Sequence, residues 1–83
     1  MKRAHIFIEG HVQGVGFRHF TKTNARQSNI KGWVKNLSDG RVEAVFEGKE
    51  ESIQKMIDLV KQGPRASRVD NVEVRVGNTG KII

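Results

Sequence analysis

Cysteine is absent from the 83 residues, proline occurs once, and no apolar run is longer than three residues. Without cysteine there is no disulfide framework, no thiol nucleophile and no thiolate metal site. Secreted domains of this size commonly lean on disulfides, so a cytoplasmic home is expected. The short apolar runs exclude a membrane-spanning helix. Lys2-Arg3 would suit the start of a signal peptide, but only Ile6-Phe7-Ile8 follows before Glu9-Gly10, too little for its apolar region. Acidic residues are missing from one long stretch: residues 10–38 hold Arg18, Lys22, Arg26, Lys31 and Lys35 and no acid.

That gap locates the charge. The formal net charge is +6. Residues 1–38 carry seven basic side chains and one acid, Glu9, whereas residues 39–83 carry eight of each sign. The whole excess therefore sits in the first half. It calls for an anionic partner: nucleic acid, an acidic surface or a small phosphorylated molecule. Hydrophobic residues make up 36%, enough for one thin core, and residues 1–83 read as a single small domain of modest stability.

Six elements follow from periodicity. Residues 4–9 alternate as a strand, with Ile6 and Ile8 on one face and His5, Phe7 and Glu9 on the other. Residues 10–16 form a loop with three glycines. A first helix spans residues 17–29, with Phe17, Phe20, Thr21, Asn24, Ala25 and Ser28 on its weakly apolar inward stripe. Residues 30–37 give a second strand and Ser38-Asp39-Gly40 a tight turn. Residues 41–47 form a third strand, with Val42, Ala44 and Phe46 alternating against charged neighbours. The second helix, residues 50–62, places Ile53, Met56, Ile57 and Val60 at helical spacing and is stopped by Gly63-Pro64. Residues 69–76 alternate valines as a fourth strand, residues 77–80 read as a turn, and Lys81-Ile82-Ile83 could form a stub of a fifth strand.

The order βαββαβ predicts a ferredoxin-like α+β sandwich, an antiparallel sheet with two helices on one face. The right-handed crossover rule then brings together the end of strand 1, the start of helix 1 and the end of strand 2. Gly10-His11-Val12-Gln13-Gly14-Val15-Gly16 occupies that edge and runs into Phe17-Arg18. Its glycines permit positive φ, so successive N–H groups can line one concavity at a helix N-terminus, and an anion is the natural guest. Arg18 opposes the helix dipole and calls for a compensating anion. The loop lacks both the third glycine of G-x-G-x-x-G and the Gly-Lys-Ser/Thr of a P-loop. A plain tight connection remains an alternative reading. Asn36 ends strand 2 on the helix side of the sheet, where its amide suits either holding a water or starting the hairpin turn.

Gly10-His11-Val12-Gln13-Gly14-Val15-Gly16-Phe17-Arg18, then Gly32-Trp33-Val34-Lys35-Asn36, then Asp39-Gly40-Arg41-Val42-Glu43, then Gly48 and Gly63-Pro64 resemble the acylphosphatases. Three separated motifs appear in order and at the family's spacing, and the resemblance covers residues 4 to about 76. It implies hydrolysis of acyl phosphates to a carboxylate and inorganic phosphate, with no metal and no cofactor. It assigns phosphate binding to Arg18, water orientation to Asn36, and a phosphate-cradling backbone to His11, Val12, Gln13, Gly14, Val15 and Gly16. The chemistry closes on these parts. A carboxylate leaves without general-acid help, so positioning and charge stabilisation are the main tasks. His11 and His19 flank the loop without a required role, and His5 reads as structural.

Two other classes match part of the pattern. RRM domains share the βαββαβ order and stack bases on aromatics of strands 1 and 3. Here strand 3 offers Arg41, Glu43, Val45 and Glu47 instead, so nucleic acid is not the expected partner. A non-catalytic anion-binding module, or the small acylphosphatase-like domain of hydrogenase-maturation carbamoyltransferases, is the other; 83 residues are too few for the rest of such a protein. One departure stands out. The family usually ends with a fifth strand beside strand 2. Either Lys81-Ile82-Ile83 forms a vestige of it, or strand 2 is an open edge that invites another chain. A monomer capable of weak dimerisation or strand exchange through that edge is expected.

Overall fold

The computed structural model describes residues 1–78. Its elements are β1 (Lys2–His11), α1 (Phe17–Gln27), β2 (Lys31–Asn36), β3 (Val42–Gly48), α2 (Glu50–Gln62) and β4 (Arg68–Asn78). The four strands make one antiparallel sheet in the order β2-β3-β1-β4. This is the expected ferredoxin-like topology, with β3 between β1 and β2. The stub of a fifth strand expected over residues 81–83 lies outside the described residues.

Alternation decides which face each strand buries. Ala4, Ile6 and Ile8 of β1 and Val42, Ala44 and Phe46 of β3 are buried in the layer shared with the helices. α2 matches its expected bounds because its apolar stripe is strong: Ile53, Met56, Ile57 and Val60 are all buried. α1 has a thinner stripe, with only Phe17 and Thr21 fully buried. Its polar members are made compatible with burial by bonding back to the helix. Thr21 Oγ1 donates to Phe17 O at 2.8 Å, and Asn24 Nδ2 to Phe20 O at 2.9 Å.

α1 ends two residues before the expected position. Ile30 N–H donates to Ala25 O at 2.8 Å and Asn29 N–H to Arg26 O at 3.2 Å, a Schellman closure with Asn29 at φ 59°. Asn is one of the few side chains that tolerate this left-handed turn, which drops Ile30 into the core. At its other end the chain is more extended than alternation suggested. β1 runs to His11, beyond the expected end at residue 9, because β4 goes on pairing with it past a bulge between Glu9 and Gly10. Gly77 and Asn78, expected to begin a turn, instead pair with Arg3 and Lys2.

Gly10 makes that bulge. It sits at φ 132°, and a Cβ there would lie 2.1 Å from the Arg68 carbonyl oxygen, an immovable backbone atom. Gly14, at φ 74°, faces open space. Gly10→Ala is therefore expected to cost about 3 kcal/mol, from backbone strain plus overpacking. Gly14→Ala should cost only about 1 kcal/mol, from strain alone. Thermal melts should separate the two by roughly 8–15 °C in Tm; equal Tm values would contradict the steric argument.

β2 is the outer strand on one side. Among the described residues no strand pairs with its free edge. A groove of about 570 Å³ runs beside it, lined by Ile30, Val34 and Phe46 and by Lys22, Arg26 and Lys31.

Candidate functional site

Register sets the frame of the site. Ile8 pairs with Val42 and Val42 with Asn36, so the three form one row across β1, β3 and β2. Two strand spacings, roughly 10 Å, separate the row's ends. Beyond Ile8, β1 continues to His11 and gives way to the loop 12–16, which feeds α1.

The loop is anchored by its apolar side chains. Val12 and Phe17 are buried, and Val15 packs against the same core. Its backbone is left open. Gly14 and Gly16 adopt φ 74° and 77°, and neither has a neighbour that a Cβ would touch, so conformation and not space requires them. Among the described residues, no N–H from Gln13 to His19 makes a backbone hydrogen bond; the first to do so is Phe20, to Gly16 O at 3.0 Å. A run of free amides at the positive end of a helix is an anion cradle.

Arg18 is the second residue of α1 and is exposed. Among the described residues its guanidinium has no hydrogen bond and no ion pair, and α1 has no acid in its first turn. Asn36 is the last residue of β2, also exposed, and its amide is likewise unpartnered among the described residues. Val34, two positions earlier, packs on the core, so Asn36 shares the helix side of the sheet. His11 departs from expectation: it closes β1, paired with Arg68, and is not part of the loop. Val12 and Val15 offer only their backbones, since their side chains serve the core.

Gln13 is the residue whose part the sequence reading missed. It was expected to contribute backbone to the cradle, yet its side chain is committed elsewhere. Nε2 donates to Leu37 O at 2.7 Å and to Arg41 O at 2.9 Å. These carbonyls close the β2–β3 hairpin, accepting Gly40 N–H at 3.2 Å and Leu37 N–H at 2.8 Å respectively. The turn is stiffened further by Asp39, whose carboxylate accepts Arg41 N–H at 3.1 Å and Arg41 Nε at 2.9 Å. That backbone N–H, aided by the guanidinium, holds the Asp39 carboxyl below its ordinary pKa. A glutamine in a loop, flanked by a buried valine and a glycine, was the available signal.

The open sheet face is self-satisfied. His5 Nε2 lies 2.6 Å from Glu43 Oε2, and Lys35 Nζ 3.6 Å from Glu43 Oε1. The Phe7 ring stacks on His5 at 4.8 Å and carries Arg41 and Arg75 at 5.0 and 5.7 Å. Both arginines are paired, with Asp39 and Glu73. Phe7 is thus a covered ring, unlike the bare platform on which RRM domains stack bases.

A family model described as Acylphosphatase matches residues 4–81 of the chain. The chain belongs to the acylphosphatase family. An acylphosphatase of Chloroflexus aurantiacus is 57% identical over 72 residues, which cover 87% of this chain and 78% of that one. The crystal structure of acylphosphatase from Bacillus subtilis superposes with a TM-score of 0.93 at 40% identity, covering 95% of this chain and 88% of its own. HypF from T. kodakarensis contains a similar portion: TM-score 0.80 and 43% identity, covering all of this chain but 11% of HypF. The acylphosphatase motifs, scattered in sequence, meet at one end of the sheet. The loop leads into α1 and Arg18, and Gln13 ties it to the hairpin that carries Asn36.

Proposed function

We propose that the chain hydrolyses acyl phosphates to a carboxylate and inorganic phosphate, and that residues 1–83 act as one catalytic domain. Arg18 binds two phosphoryl oxygens as a bidentate donor. The amides of residues 12–16 and of the first turn of α1 surround the same oxygens and stabilise the charge they carry in the transition state. Asn36 donates to or accepts from a water and aligns it opposite the leaving oxygen. The water oxygen attacks phosphorus, the bond from phosphorus to the acyl oxygen breaks, the carboxylate departs with the electron pair, and one proton of the attacking water passes to another phosphate oxygen or to solvent. A loose transition state leaves the attacking water nearly neutral and the carboxylate nearly formed, so a strong base and a strong acid are both dispensable.

The reading is carried by one observation: an arginine with no protein partner among the described residues stands directly after a loop of free amides. Family membership supports it. The charge distribution agrees, since an acid-free stretch from residue 10 to residue 38 contains every residue named in the mechanism. Single-stranded nucleic acid is not the partner in this reading, because the Phe7 ring is covered by Arg41 and Arg75, which are themselves paired with Asp39 and Glu73. The absence of cysteine supports a cytoplasmic setting. Among the described residues no helix is long and apolar enough to cross a membrane. We further propose a monomer that pairs weakly, or exchanges strands, through the free edge of β2.

The test is release of inorganic phosphate from an aryl acyl phosphate, with no metal added. Turnover well above the uncatalysed rate is expected, with competitive inhibition by inorganic phosphate. An inactive, folded protein would sink the proposal. Sedimentation across a wide concentration range addresses the edge: one-chain mass throughout would remove the pairing.

A further inference from the structure

We propose that Gln13 is a positioning residue for this reaction: its side-chain amide sets the register between the phosphate loop and Asn36. The proposal rests on the roles given above to the loop, Arg18 and Asn36.

The loop and Asn36 belong to different elements, and the phosphoryl group and the attacking water must meet in line between them. Something has to fix their relative placement. Apolar anchors such as Val12 and Val15 hold the loop to the core but impose little direction, because dispersion contacts are not directional. Hydrogen bonds are directional, and among the described residues only two link residues 12–16 to the β2–β3 hairpin. Both come from Gln13 Nε2, to Leu37 O at 2.7 Å and Arg41 O at 2.9 Å. Two carbonyl acceptors admit only the NH₂ end of the amide, so the side chain's orientation is fixed by chemistry.

Leu37 directly follows Asn36, so the bond to Leu37 O grips the peptide unit next to the one that Asn36 begins. The bond to Arg41 O grips the opposite side of the same hairpin neck, where Leu37 N–H also ends. Together they resist both sliding and twisting of the hairpin against the loop. The Gln13 side chain is half-buried with both amide hydrogens used, so it has no side-chain donor left for substrate. The side chain's effect on the reaction must pass through the placement of Asn36 against the loop. Misplacing a reacting group by about 1 Å can cost on the order of 10²-fold in rate.

Gln13→Met keeps the length and bulk and removes both donors. It is compared with wild type and introduced again beside Asn36→Ala, with rates taken per folded molecule from circular dichroism. Expected in the wild-type background is a fall in kcat of about 10- to 10²-fold, with the inhibition constant of inorganic phosphate changed less than about threefold. In the Asn36→Ala background, where no oriented water remains to be misplaced, the further fall should be under about threefold, the non-additivity expected of residues acting as a unit. Gln13→Asn, which keeps the amide but is one methylene short, should fall between wild type and Gln13→Met. Equal losses in both backgrounds, an unchanged kcat, or phosphate affinity lost in step with kcat would each overturn the proposal. Should Asn36→Ala alone retain full activity, the role of Asn36 fails and Gln13 falls with it. A damaged Asn36→Ala with additive losses removes Gln13 alone.

Discussion

Arg18→Gln is expected to lower kcat/KM on an aryl acyl phosphate by about 10³-fold or more, the range that a lone arginine supplies to phosphoryl transfer. Inhibition by inorganic phosphate should weaken strongly as well, because the same guanidinium holds the ground-state phosphate. The fold should not suffer. Arg18 is exposed, makes no hydrogen bond or ion pair among the described residues, and faces the positive end of α1. Removing a cation from that position relieves about 0.3–1 kcal/mol of unfavourable charge–dipole interaction. Tm should therefore stay level or rise by a few degrees. A residue that costs stability where it stands and makes no hydrogen bond or ion pair among the described residues is difficult to explain without a ligand. Arg18→Lys tests geometry against charge: an ammonium restores the charge as a point but not the two-pronged donor set, so it should recover only part of the loss. Initial-rate kinetics and thermal melts read both effects. Wild-type activity in Arg18→Gln would end the mechanism, and a large drop in Tm would recast Arg18 as structural.

The sequence disclosed the fold wherever periodicity was strong. α2 has four apolar residues on one stripe and a Gly-Pro stop, and its bounds match. Residues 17–29 were harder, because Thr21 and Asn24 occupy inward positions that only bonds to Phe17 O and Phe20 O make tolerable. The Schellman turn at Asn29 was not visible either, since asparagine signals many turns and α1 carries no glycine after it. Residues 10 and 11 read as a loop from sequence because of the glycine. That glycine in fact allows a bulge, so pairing with β4 resumes at Val69 and Arg68. At the site, residue types and order were legible: a glycine loop, an arginine at a helix start, an asparagine at a strand end. The tie between them was not. Leu37 and Arg41 accept from Gln13 through backbone carbonyls, and a carbonyl carries no residue identity. Sequence patterns see side chains, so a contact made to main chain leaves its trace in only one partner.

Asn36→Ala should behave differently from Arg18→Gln, and the difference is what separates positioning from binding. Asn36 is exposed at the end of β2 and its amide has no partner among the described residues, so its loss should leave Tm within a few degrees. Losing one oriented polar group at a reacting centre typically costs about 10²–10³-fold in kcat. Inhibition by inorganic phosphate should change little, because the loop amides and Arg18 remain to hold the anion. A fall in kcat with phosphate affinity kept is the signature of a lost water, whereas a parallel fall would mean that Asn36 touches the phosphoryl group itself. Asn36→Asp sharpens the distinction. It has the same shape and a stronger base, so it should rescue activity if the position needs only a base. It also places a negative charge beside an incoming phosphoryl dianion and gives up the amide donor. At about 4 Å two like charges repel by about 1 kcal/mol in water and about 4 kcal/mol at the effective dielectric near a protein surface. Charge repulsion should win, leaving Asn36→Asp no better than Asn36→Ala at pH 7, with weaker inhibition by phosphate. Activity above that of Asn36→Ala would instead identify proton abstraction, and not water alignment, as the work done at the end of β2.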